Sequence, residues 1–135
     1  MINSAKVRSL FFVLLGGAAL VLKRHYSGPF VEVVKSYGGN IAASFSVYFL
    51  VGIYTFGWKF RRLLTVGIAL LVVELFEATD GFGVMTNVYD RNDFAANAVG
   101  IGLALAIDTV ASRVRTRRLN WRERTAARTA GRPAG

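Results

Sequence analysis

Four polar side chains interrupt apolar stretches at helical spacing: Glu74, Glu77, Asp93 and Asn97. Glu74 and Glu77 are three residues apart and Asp93 and Asn97 four, so on helices each pair shares a face. On two antiparallel helices joined by a short connection, the four groups converge at one end. Carboxylates crowded in this way cannot all ionise comfortably. Such a cluster suits a polar pocket for proton exchange or for capture of a cationic group. The same residues also have a structural reading. Asn92 or Asp93 is a suitable N-cap, because a short oxygen-bearing side chain accepts orphan backbone N–H bonds. The others can join hydrogen bonds or ion pairs with Lys23, Arg24, Lys35 or Arg91. A third reading makes Glu74 and Glu77 the acid and base of a membrane enzyme acting on lipid-linked substrates. General acid–base work needs groups at hydrogen-bond distance from a reacting proton. Yet no phosphate loop, dinucleotide fingerprint, zinc-protease helix or nucleophile elbow accompanies them, so a non-enzymatic role is expected.

The elements that must carry these groups are read from composition and charge. The chain has 135 residues, 53% of them hydrophobic, with a formal net charge of +9 and a mean hydropathy of +0.41. One small soluble core cannot hide that much apolar surface, whereas a membrane protein turns it toward lipid. Cysteine is absent, and His25 is the single histidine. Disulfides and Cys-based zinc sites are thereby excluded, and no cofactor is expected. The charge-free stretches are 9–22, 36–58, 63–73 and 94–107. With flanking residues that snorkel, they extend to four spans near 6–24, 38–58, 62–80 and 93–113, each close to the roughly 20 residues a bilayer requires. The expected fold is all-α, an integral membrane four-helix bundle over residues 1–112, followed by a basic, partly disordered tail over 113–135.

Turn-forming residues divide the spans. Gly28-Pro29 ends the first, Tyr37-Gly38-Gly39-Asn40 marks the start of the second, and Gly81-Phe82-Gly83 ends the third. The segment from Pro29 to Lys35 fits either a short interfacial helix or an ordered loop. The first stretch has the basic and apolar regions of a signal peptide. Its apolar run continues through Leu20-Val21-Leu22 into Lys23-Arg24, which favours retention as a span.

Orientation follows from lysine and arginine. Lys6 and Arg8, the second connection (Lys59, Arg61, Arg62) and eight tail arginines share one side in a four-span chain, 13 of the 17 basic residues. Both termini are therefore expected in the cytoplasm, and the acidic cluster near the outer leaflet. Trp58, Tyr26, Tyr37 and Tyr89 fall near span ends, as interfacial aromatics do. A carboxylate inside the bilayer costs about 2.5–3.5 kcal/mol on insertion scales, so Glu74, the deepest acid, should face the bundle interior.

The fourth span carries two stripes of small residues, Ala96-Gly100-Ala104 and Ala98-Gly102-Ala106. Small side chains let helix backbones approach closely within lipid, either inside one subunit or across a self-associating face. Asp108 lies within reach of Arg113 or Arg115 for a local salt link. In the tail, Arg113, Arg115, Arg117, Arg118, Arg122 and Arg124 suit anionic lipid headgroups, at about 1 kcal/mol per basic residue near the surface. No nucleic-acid motif accompanies the charge. Membrane lipids and membrane-protein partners are the expected partners, with no nucleic acid.

Two stretches carry a resemblance. Glu74-x-x-Glu77, a short connection, then Asp93-x-x-x-Asn97-x-x-Gly100 resembles the VanZ-like superfamily of small bacterial membrane proteins. Tyr37-Gly-Gly-Asn40, leading into a span with Tyr48, is similar to an uncharacterised branch related to it. The second position is usually Gln where Glu77 stands, and an Asp is common in place of Asn40. The resemblance implies a four-helix bundle in the bacterial inner membrane, acting at the cell envelope. The alternative is an accessory subunit of a larger membrane complex.

Overall fold

The computed structural model describes residues 4–79 and 91–130. Among the described residues the chain is all-helical: α1 (Ser4–Leu22), a 3-10 turn (Lys23–His25), α2 (Val31–Tyr54), α3 (Arg61–Ala78) and α4 (Arg91–Ala130). The expectations for Gly81-Phe82-Gly83 and Tyr89 lie outside the described residues. The chain divides into two units, Met1–Leu105 and Ala106–Gly135.

Two segments, Ser4–His25 and Arg91–Thr129, are long and apolar enough to cross a membrane. Only 17% of the most apolar window of the first is buried within the protein. Leu10, Phe11, Leu14 and Leu15 of α1 point outward, as do Leu63, Leu71 and Leu75 of α3. The longest charge-free stretch, in α2, does not reach the same hydropathy because Asn40, Ser44 and Ser46 interrupt it; α3 carries Arg61, Arg62, Glu74 and Glu77. The serines of α2 are satisfied locally. Ser44 donates to the Asn40 carbonyl at 2.6 Å and Ser46 to the Ala42 carbonyl at 2.9 Å.

The core of the first unit is assembled around Tyr48 and Phe49 of α2. Ala69 and Val73 of α3 and Ile101 and Ala104 of α4 close on them. Phe12 of α1 stacks on Phe49 with centroids 4.6 Å apart, and Phe45 meets Phe49 edge-on at 5.1 Å. Close helix approach requires glycine at two places. A Cβ on Gly16 would meet the Ser46 hydroxyl and the Ala42 carbonyl, and one on Gly100 would collide with the Ser44 hydroxyl and the Ile41 carbonyl. Ala96, Gly100 and Ala104 are buried, whereas Ala98, Gly102 and Ala106 are exposed. Nothing lies within 4 Å of a Cβ placed on Gly102. Among the described residues the first small-residue stripe packs inside the chain, while Gly102 lies on an exposed side of α4.

The connections differ from expectation in two ways. The segment after Pro29 is neither a separate helix nor a loop: α2 begins at Val31 and runs unbroken through Gly38-Gly39. Interior glycine costs about 1 kcal/mol relative to alanine, and here Gly39 gives room to the Lys23 side chain, with which a Cβ would collide. Phe30 and Phe60, immediately before α2 and α3, both have left-handed backbone angles (φ 58° and 60°). Their carbonyls accept the first helical bonds from Val34 and Leu64. That conformation costs a bulky residue about 1–2 kcal/mol, and both rings are exposed, at 81% and 69%.

In the second unit, α4 remains helical through the basic tail to Ala130. Residues 131–135, the end of the tail expected to be partly disordered, lie outside the described residues. Asp108 is buried, and Ser112 donates to its carbonyl at 2.7 Å. Arg113, Arg115, Arg117, Arg118, Arg122 and Arg124 are all exposed.

Candidate functional site

In the first unit a cavity of about 410 Å³ lies where all four helices approach one another. Its polar groups are Lys23 from the 3-10 turn, Asn40 from α2, Glu77 from α3 and Asn97 from α4. Leu20, Ala43, Val47, Val72, Val73 and Phe76 make the apolar wall.

Local sequence explains each position. On α2, Gly39, Asn40, Ala43 and Val47 follow helical spacing and form one stripe; Val72, Val73, Phe76 and Glu77 do the same on α3. Glu77 is therefore the polar end of an otherwise apolar stripe. Lys23 reaches the site because α1 tightens into a 3-10 turn there and Gly39 leaves its stem unobstructed. Asn97 is 3% exposed, one turn before Gly100. The close contact of Gly100 with α2 seats that part of α4 against Ile41 and Ser44.

Of the four residues that spacing grouped as a pocket, Glu77 and Asn97 line this cavity; Glu74 and Asp93 do not. Glu74 is half-buried on α3, and its Oε2 is buried with no hydrogen-bond partner among the described residues. Asp93 is 8% exposed. It is the third residue of α4 and not its N-cap, because the helix already begins at Arg91. A carboxylate in the first turn still meets the positive end of the helix dipole favourably. Asn92 donates from Nδ2 to the Tyr37 hydroxyl at 3.3 Å, tying the start of α4 to α2.

Spacing analysis did not group Asn40 with the acids, and it offered Lys23 only as one of four possible ion-pair partners. Asn40 reads in the sequence as part of a break between helices. The available signal was Asn40 itself, an amide that continues into the most apolar part of α2. Chemically the site offers one ammonium, one carboxylate and two carboxamides beside an apolar wall. It can hold the polar end of an amphiphile. Among the described residues, no three His, Asp or Glu side chains gather as a metal site would require. Comparison with known protein families, curated proteins and solved structures finds no match to this chain.

Proposed function

We propose that this chain is a VanZ-like, multi-pass protein of the bacterial inner membrane, with four spans and both termini cytoplasmic, whose cavity binds the polar end of an amphiphilic envelope component without catalysis. The observation that carries this reading is the cavity, with Lys23, Asn40, Glu77 and Asn97 beside apolar walls. Pockets of some 300–1,000 Å³ with a few convergent polar groups are the usual form of small-molecule sites. The outward-facing leucines of α1 and α3 support the bilayer setting.

Charge supports the orientation. Arg61 and Arg62 open α3, where positive charge opposes the helix dipole by about 0.3–1 kcal/mol each. A cytoplasmic position for that turn accounts for tolerating the cost. The cavity residues fall toward the opposite ends of the helices, which corresponds to the outer leaflet. Phe30, Tyr54, Trp58 and Phe60, exposed at helix ends, suit the headgroup level, where aromatic rings are enriched.

The test is ligand retention. Full-length protein extracted in mild detergent should carry bound lipid, detected by native mass spectrometry. Ala43→Trp, which fills the cavity, should release it while the protein stays monodisperse. Equal retention by this variant contradicts the proposal. A second reading, a subunit of a larger membrane complex, is favoured by Ala98 and Gly102, which present a small-residue face outward. Gly102→Leu should then dissociate a co-purifying partner.

A further inference from the structure

Resting on the amphiphile-binding reading, we propose that the cavity selects a zwitterionic phospholipid of the phosphoethanolamine type, its phosphate toward Lys23 and its ammonium toward Glu77. The cavity wall carries one cation and one anion, on separate elements, together with the carboxamides of Asn40 and Asn97. A headgroup that is only anionic would match Lys23 while bringing its charge toward the Glu77 carboxylate. Away from bulk water that repulsion is strong. A headgroup that is only cationic has the reverse conflict at Lys23. One carrying both charges brings an opposite charge toward each side chain at once.

The choice between ammonium types follows from hydrogen bonding. A primary ammonium has three N–H donors for a carboxylate and for amide oxygens, whereas trimethylammonium has none, and hydrogen bonds to charged groups are the stronger kind. Carboxamide N–H groups such as those of Asn40 and Asn97 are donors suited to phosphate oxygens. Val47, Val73 and Phe76 continue the wall in apolar form, which fits the glycerol-linked start of acyl chains better than a free, water-soluble headgroup.

The test uses detergent-purified full-length protein and native mass spectrometry with phosphatidylethanolamine, phosphatidylcholine and phosphatidylglycerol of identical chains. The expected result is about tenfold preferred retention of phosphatidylethanolamine over both others, the scale set by one charge-assisted hydrogen bond. Ten-millimolar free phosphoethanolamine should leave it bound. Glu77→Gln should remove the preference over phosphatidylglycerol, and Lys23→Gln should weaken all three lipids. The ranking in the unsubstituted protein needs no variant, so a folding defect cannot obscure it. Equal or greater retention of phosphatidylglycerol or phosphatidylcholine overturns the headgroup assignment while leaving amphiphile binding intact, and displacement by free phosphoethanolamine overturns the lipid as the source. Retention of no lipid at all overturns both.

Discussion

Thr55 and Thr65 bring their hydroxyl oxygens to 2.7 Å across the turn between α2 and α3, both side chains fully buried. Each also lies within hydrogen-bond distance of a carbonyl one turn earlier in the chain, Thr55 of Val51 at 3.2 Å and Thr65 of Arg61 at 2.8 Å. The turn itself is tight, with Gly57 at φ 91° and Trp58 N–H donating to the Thr55 carbonyl. This pair closes the end of the hairpin opposite the cavity.

A double-mutant cycle with Thr55→Val and Thr65→Val should therefore show coupling. The expected interaction energy is about 0.5–1.5 kcal/mol, the range for one net hydrogen bond. Thermal unfolding in detergent measures it, and additive single effects would deny the link.

Glycine substitutions on α4 should separate by face. Gly100→Ala forces a methyl against the Ile41 carbonyl and Cα and should destabilise by about 1–3 kcal/mol, as overpacking does. Gly102→Ala meets nothing within 4 Å and should stabilise by up to about 1 kcal/mol, the helix preference of alanine over glycine. Reversed effects would show that α4 packs through its other face.

Gly39→Ala tests how Lys23 reaches the cavity. The added methyl collides with the lysine side chain and not with backbone, so the helix should survive while lipid retention falls. A melting midpoint that drops by many degrees with retention unchanged would make Gly39 purely a packing residue.

The tail should respond to lipid charge. With Trp58→Phe, Trp121 is the remaining tryptophan and reports on Arg113 to Arg128. Its emission should shift to the blue in proteoliposomes containing anionic lipid and return at high salt, because exposed charges are screened within about 10 Å at 0.1 M. Emission insensitive to both would argue against headgroup contact.

The all-helical class followed from apolar runs and basic residues, because both are local properties of the chain. The bounds followed less well, since α2 starts at Val31 and not near 38, and α4 runs to Ala130 and not to 113. The site was only half legible. Glu77 and Asn97 announced themselves as polar groups in apolar helices, and both line the cavity. Glu74 has the same signature at i−3 from Glu77, yet the cavity opens past the other edge of its stripe. Spacing places a residue on a face without saying where a void will form. Gly38-Gly39 reads as a break by propensity, yet α2 runs through it, and the close Lys23 side chain accounts for glycine at position 39. The small-residue stripes illustrate the same limit: Gly100 and Gly102 look equivalent in sequence, and only tertiary packing distinguishes them.

Cysteine labelling tests the central claim, because the chain has no native cysteine. Ser27→Cys and Lys59→Cys occupy the two connections flanking α2, and both positions are exposed. In intact cells, a membrane-impermeant maleimide should modify position 27, and position 59 only after the membrane is opened. Labelling of both positions in intact cells, or recovery of the chain in the detergent-free soluble fraction, would contradict the account.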